Sequence, residues 1–172
     1  VGYSSLSSVT EGDGNVAVGS TALVSCQSGA DNVAVGYQAG EDLTGSNSTL
    51  VGAGAGMQST AGNNTAVGHD AGAAMTTWDS NTAIGKQALY GQAGQAMNYC
   101  VAVGGSALGS TSITTGANGT VAVGHGSLEA LTTGAENVAV GYRAGLALVD
   151  GSYSTIIGHN AGIALTSGAG NV

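Results

Sequence analysis

Proline and phenylalanine are absent from this chain, and its 172 residues include one Trp, two Cys and only two Lys or Arg. Each shortage excludes something. Collagen needs abundant Pro and Gly at every third position, and neither holds here. A nucleic-acid binder is basic, whereas 10 Asp and Glu leave this chain at a net charge of −8, which repels phosphate. Charged residues make up 7%, against about 25% in ordinary domains. Disorder requires low hydrophobicity with high charge, but 42% of the residues are hydrophobic and the mean hydropathy is +0.21. No apolar run approaches the roughly 20 residues of a membrane span. What abounds is Gly, at 32 residues, or about 19% against a usual level of about 7%. Gly, Ala, Val, Asn and Thr at this density, with so little charge, indicate a repetitive β structure.

The repeat is Asn-x-Ala-Val-Gly-x-x-Ala. It reads Asn15-Val16-Ala17-Val18-Gly19, then Asn32 to Gly36, Ser48 to Gly52, Asn64 to Gly68 and Asn81 to Gly85. Cys100 to Gly104, Thr120 to Gly124, Asn137 to Gly141 and Ser154 to Gly158 follow. The anchoring glycines are Gly2, Gly19, Gly36, Gly52, Gly68, Gly85, Gly104, Gly124, Gly141 and Gly158, spaced 17, 17, 16, 16, 17, 19, 20, 17 and 17 residues apart. Val1-Gly2 reads as the tail of an earlier copy and Asn171-Val172 as the start of another. The chain is therefore expected to be one repeat-array segment, residues 1–172, of a longer fibre protein.

A unit of 16–20 residues is too short for a helical repeat and matches one coil of a parallel β-solenoid. The expected fold is an all-β solenoid, or β-roll, of about ten coils rising about 48 Å at ~4.8 Å per coil. Val or Ile precedes every anchor, which favours a strand. Stacking turns columns into ladders: Asn15, Asn32, Asn64, Asn81 and Asn137 in one, Val18, Val35, Val67, Ile84 and Val140 in another. The Asn ladder is expected to bond side chain to side chain between coils. Within a strand, Val16 and Val18 face one way while Ala17 and Gly19 face the other. The reading assigns the bulky face to the coil interior and the bare face to a neighbouring chain, hence an intertwined or side-by-side homotrimer.

At these residues the chain resembles a known family. Asn-x-(Val/Ala)-(Val/Ile)-Gly-x-x-(Ala/Ser) is similar to the head repeat of trimeric autotransporter adhesins and to the related repeats of bacteriophage tail-fibre and virion-appendage proteins. The resemblance implies a left-handed parallel β-roll of three chains around one axis. The coils here are longer than those of the adhesin head. Tyr37 to Gly40, Tyr142 to Gly145 and the Thr-Thr-Gly elements look more like the phage versions.

No catalytic constellation is identifiable, so the chain reads as a non-enzyme without a cofactor. His69, His125 and His159 share the position after the anchor with Tyr3, Tyr37 and Tyr142. That column is read as structural; a three-His metal ring in a trimer is the alternative, set against the lack of a His-x-His pair or a flanking carboxylate. The acidic residues mostly fall in turns and keep an apolar fibre soluble. Cys26 takes the place of Leu43 and Leu131 in its column, and Cys100 stands in the Asn column. At four to five coils apart they are too distant to bridge. The irregular zone around the 19- and 20-residue coils holds Trp78, Tyr90, Met97 and Tyr99, which are read as candidate partner-binding loops.

The expected function is structural and adhesive: a segment of a phage tail fibre or virion appendage that projects from the virion and attaches to a bacterial host surface. The head of a bacterial trimeric adhesin, on the cell surface, is the alternative. An ice- or surface-binding solenoid comes third, because the Thr residues form no evenly spaced Thr-x-Thr array. Expected partners are further copies of the chain, other fibre or virion proteins, and a host receptor, a glycan or outer-membrane component. Neither nucleic acid nor membrane insertion is expected.

Overall fold

A computed structural model describes residues 1–91, 97–110 and 116–172. Among these residues nine three-residue strands form one parallel sheet in sequence order: β1 (Val16–Val18), β2 (Val33–Val35), β3 (Thr49–Val51), β4 (Thr65–Val67), β5 (Thr82–Ile84), β6 (Val101–Val103), β7 (Val121–Val123), β8 (Val138–Val140) and β9 (Thr155–Ile157). Each strand pairs with the next with like residues opposite each other, as Ala17 lies opposite Ala34 and Val18 opposite Val35. The protein is an all-β solenoid whose eight turns connect nine rungs.

The anchor glycine ends each strand, and two constraints require it. Its φ lies between 127° and 144°, a region closed to L side chains. It also sits directly beneath the next anchor: a Cβ on Gly68 would stand 2.6 Å from the Gly85 carbonyl oxygen. The turn that follows is built on left-handed residues two and four positions after the anchor, such as Gln38 (φ 56°) and Leu23 (φ 52°). A third left-handed column precedes the Asn ladder, with Asp31 (φ 57°), Asn47 (φ 61°) and Asn63 (φ 57°). Asn and Asp tolerate this conformation best.

The orientation of the strands corrects the sequence reading. The central residue points inward: Ala17, Ala34, Leu50, Ala66, Ala83, Ala102, Ala122, Ala139 and Ile156 are all buried. The flanking Val, Ile and Thr side chains, including the expected ladder Val18, Val35, Val67, Ile84 and Val140, point away from the coil interior. The physical reason is width. A coil this narrow cannot hold two β-branched side chains per rung, so the small face goes inside and the volume comes from the opposite wall.

That wall is matched to the strand rung by rung. Four residues after the anchor stands either a Leu or a Gly. Leu23, Leu89, Leu108 and Leu128 are buried there despite left-handed φ values of 48° to 52°. A left-handed backbone costs a non-glycine residue about 1–2 kcal/mol, and burying a Leu contributes about 1.5–3 kcal/mol, so the exchange is close to even. Where Gly takes the position, neighbours fill it: a Cβ on Gly40 would meet Leu50 at 2.8 Å and Leu23 at 2.9 Å. The β3 rung, which carries only Gly56 and Ser59 on this wall, has Leu50 in its strand.

The Asn column holds the rungs in register. Asn32 donates its backbone N–H to Asn15 Oδ1 at 3.0 Å, Ser48 to Asn32 Oδ1 at 2.9 Å, Asn81 to Asn64 Oδ1 at 3.0 Å and Ser154 to Asn137 Oδ1 at 2.9 Å. The Nδ2 groups of Asn32, Asn64 and Asn137 donate to the next coil's Gly45, Trp78 and Gly151 carbonyls at 2.9, 2.7 and 2.7 Å. The ladder thus bonds mainly side chain to backbone, correcting the expected side-chain-to-side-chain pattern. The amide satisfies two buried main-chain groups of the neighbouring coil, which turns cannot satisfy among themselves.

The stabilities of four variants check this packing. Replacing Gly68 by Ala drives a Cβ into the next rung and should prevent cooperative folding, whereas Gly170→Ala, with nothing within 4 Å of the new Cβ, should cost about 1–2 kcal/mol through φ alone. Leu50→Ala should cost about 2–5 kcal/mol by leaving a cavity. Ala139→Leu should cost about 1–3 kcal/mol by overpacking a fully buried position. Thermal denaturation reads all four variants.

Candidate functional site

The outward face of the sheet carries two parallel columns. One holds Val16, Val33, Thr49, Thr65, Thr82, Val101, Val121, Val138 and Thr155; the other holds Val18, Val35, Val51, Val67, Ile84, Val103, Val123, Val140 and Ile157. All eighteen side chains are β-branched and none is charged. Eight inter-rung steps make the stripe about 38 Å long, with about 7 Å between its columns. Val16 is 49% exposed, Ile84 41% and Ile157 66%. Monomers rarely expose a continuous apolar patch beyond a few hundred Å². Parallel sheets are moreover normally covered on both faces, and here the protein covers only one.

A ladder of rings runs through the column after the anchors. Tyr142 stacks between His125 and His159, with centroid distances of 5.6 and 5.3 Å, and the Arg143 guanidinium lies 5.3 Å from the Tyr142 centroid. The Tyr separates the two imidazoles. His69 stands 3.1 Å from the Asp70 carboxylate, a flanking carboxylate that the sequence reading overlooked. Among the described residues no three His, Cys, Asp or Glu side chains are placed to hold one metal ion.

The candidate partner-binding residues separate. Trp78 and Met97 are fully buried, which corrects their assignment to a binding surface. Tyr90 is half-buried and Tyr99 is 70% exposed. The reason lies in a column defined by its distance from the Asn ladder. Three residues before the Asn column the chain has Gly12, Gly29, Gly45, Ala61, Trp78, Met97, Ala117, Gly134, Gly151 and Gly168. Trp78 and Met97 project inward at the place where other coils carry Gly or Ala. The Trp78 ring lies against Gly91, where no Cβ could fit. Met97 joins this column only when its coil is aligned backward from the Asn position, whereas Trp78 falls in it counted from either end.

Cys26 and Cys100 are both buried and free. Cys100 occupies its Asn position as an imperfect substitute: its backbone N–H donates to Asn81 Oδ1 at 2.9 Å, and its Sγ donates to the Ala117 carbonyl at 3.2 Å. Burial pushes the Cys26 thiol up, and pushes the Cys100 thiol from 9.0 up to about 11. No membrane-length apolar helix occurs among the described residues. Comparison of the chain with family models, with characterised proteins and with solved structures returned no match.

The thiols make a pH prediction. An unfolded Cys100 releases its proton near pH 9 while the folded thiol keeps it to about pH 11, so the folded state binds more protons between those values. The associated stability is complete below pH 9 and is lost as pH rises through 11. Urea midpoints should therefore fall across that interval, and fall less in Cys100→Asn. An equal fall in both proteins would remove Cys100 as the cause.

Proposed function

We propose that this chain is a structural and adhesive segment of a phage tail fibre or virion appendage, assembled as a parallel homotrimer. It projects from the virion and engages a bacterial surface receptor, a glycan or outer-membrane component. The observation that carries this reading is the uncharged β-branched stripe along the outward face. Its continuity over nine rungs suits a partner of the same period, and two further copies of the chain have that period in register. The expected bare outward face does not contribute, because the strand-centre alanines are buried in the coil interior. The head of a bacterial adhesin shares the same geometry and differs in what the rod is attached to.

One observation favours a second reading. Thr49, Thr65 and Thr82 stand opposite one another on consecutive rungs, beside Val51, Val67 and Ile84. Such a regular hydroxyl–methyl array suits an ice- or surface-binding solenoid whose stripe stays open to water.

Native mass spectrometry separates the two. A three-chain mass is expected, together with dissociation to single chains in Ile84→Asp, whose circular dichroism should remain that of the parent because residue 84 points out of the coil. A wild-type monomer that alters ice growth would replace the fibre reading with the second one. Attachment of the purified trimer to bacterial cells, lost on adding excess free trimer, checks the adhesive role.

A further inference from the structure

We infer that the rod has a built-in opening point at β7, where neighbouring rungs separate before they separate at other interior positions. The inference rests on an interruption of the Asn column. At every other interface this column supplies a side-chain oxygen to the next rung's backbone: Asn15, Asn32, Asn64, Asn81 and Asn137 through Oδ1, Ser48 and Ser154 through Oγ at 3.3 Å each. On β6 and β7 the column holds Cys100 and Thr120. At the β6–β7 interface the Thr120 N–H faces the Cys100 sulfur instead of an oxygen. Sulfur is a weak acceptor.

The β7–β8 interface is poorer still. Thr120 is fully buried, yet its Oγ1 has no hydrogen-bond partner. Among the described residues the Asn137 N–H has no acceptor, and Thr120 makes neither the forward bond nor the turn-directed bond that an Asn supplies. Length is not the cause, since the hydroxyls of Ser48 and Ser154 stand equally far from the backbone and do reach the next rung. The difference is β-branching, which restricts the χ1 settings open to Thr120, and its hydroxyl is left without a partner. The longest coil of the array, with a spacing of 20 residues, joins β6 to β7 and so adjoins both interfaces. The β4–β5 interface shows what is lost, since Asn64 accepts from Asn81 and donates to Trp78 in the same plane.

A solenoid's stability is a sum of nearest-neighbour interface contributions, so one poor interface localises opening rather than weakening the whole. Strand pairing persists across the site, with Val101 N–H on the Thr120 carbonyl at 3.0 Å and Val121 N–H on the Asn137 carbonyl at 2.8 Å. The site is therefore closed at rest. Opening it would bring the Cys100 thiol to solvent while Cys26, near the other end, stays covered. A projecting rod with such a point yields at a set place under load and recloses from paired rungs on each side.

Native-state hydrogen exchange tests this on the full chain. The Val101 and Val121 amides should exchange at least tenfold faster than those of Val33 and Thr65, which make equivalent bonds at intact interfaces. Thr120→Asn should bring Val121 to within about threefold of Val33 and Thr65, and Cys100→Asn should do the same for Val101. Thr120→Asn should also slow alkylation of Cys100 tenfold relative to Cys26. Equal protection of all four amides in the wild type would overturn the inference, and so would exchange and alkylation that Thr120→Asn leaves unchanged. If Thr120→Asn does not fold, the wild-type comparison decides alone.

Discussion

Everything in this protein follows from stacking identical backbone positions at the spacing of a parallel sheet. Once each anchor lies directly beneath the next, the residue there can carry no Cβ, because the adjoining carbonyl occupies that space. A glycine at that point ends the strand after three residues and sets up the left-handed turn. The same stacking makes every buried turn amide and carbonyl a problem for its neighbour to solve. Asn solves it with one acceptor and one donor on a short side chain. Register, strand length and the identity of two columns thus descend from a single distance.

The interior is correspondingly austere. With Ala in most strands, a rung's volume is shared among the strand centre, the position four after the anchor and the position seven after it. Leu50 with Gly56 and Ser59, or Ala122 with Leu128 and Leu131, are different divisions of one small volume. Close packing therefore operates along the axis as well as across it, as when Leu23 and Leu50 fill the gap over Gly40. This explains how leucines persist at left-handed positions: the strain of the turn is offset by core volume that no other column can supply.

Much of this was legible in the sequence. Ten anchors at a nearly constant period give the solenoid, its rung spacing and the membership of each column without any structure. The direction of the strand was not legible. A Val-Ala-Val triplet alternates equally well with either face inward, and hydrophobicity alone favours burying the valines. Only the width of the coil decides against that, and width depends on turn geometry that three left-handed columns create together. The roles of Trp78 and Met97 were hidden for a related reason. Trp78 falls in the Gly and Ala column counted from either landmark, but a Trp there reads as surface until the packing of the rung is known. Met97, in the 19-residue coil, looks like a surface loop when counted from Gly and like core when counted from Asn. The extra residues lie between those two landmarks.

The strand orientation also changes what the outer surface means. If the small residues faced outward, chains could approach closely but would gain little by doing so. With Val, Ile and Thr outward, the molecule instead carries an apolar stripe that its own core cannot cover. Fully β-branched columns are stiff at χ1, so little side-chain entropy remains to be lost when that stripe is covered. A narrow core and a preorganised outer stripe are two consequences of one choice. The coil excludes the bulky side chains from its interior, and the surface they form outside is flat, uncharged and repeated at the period of the chain itself.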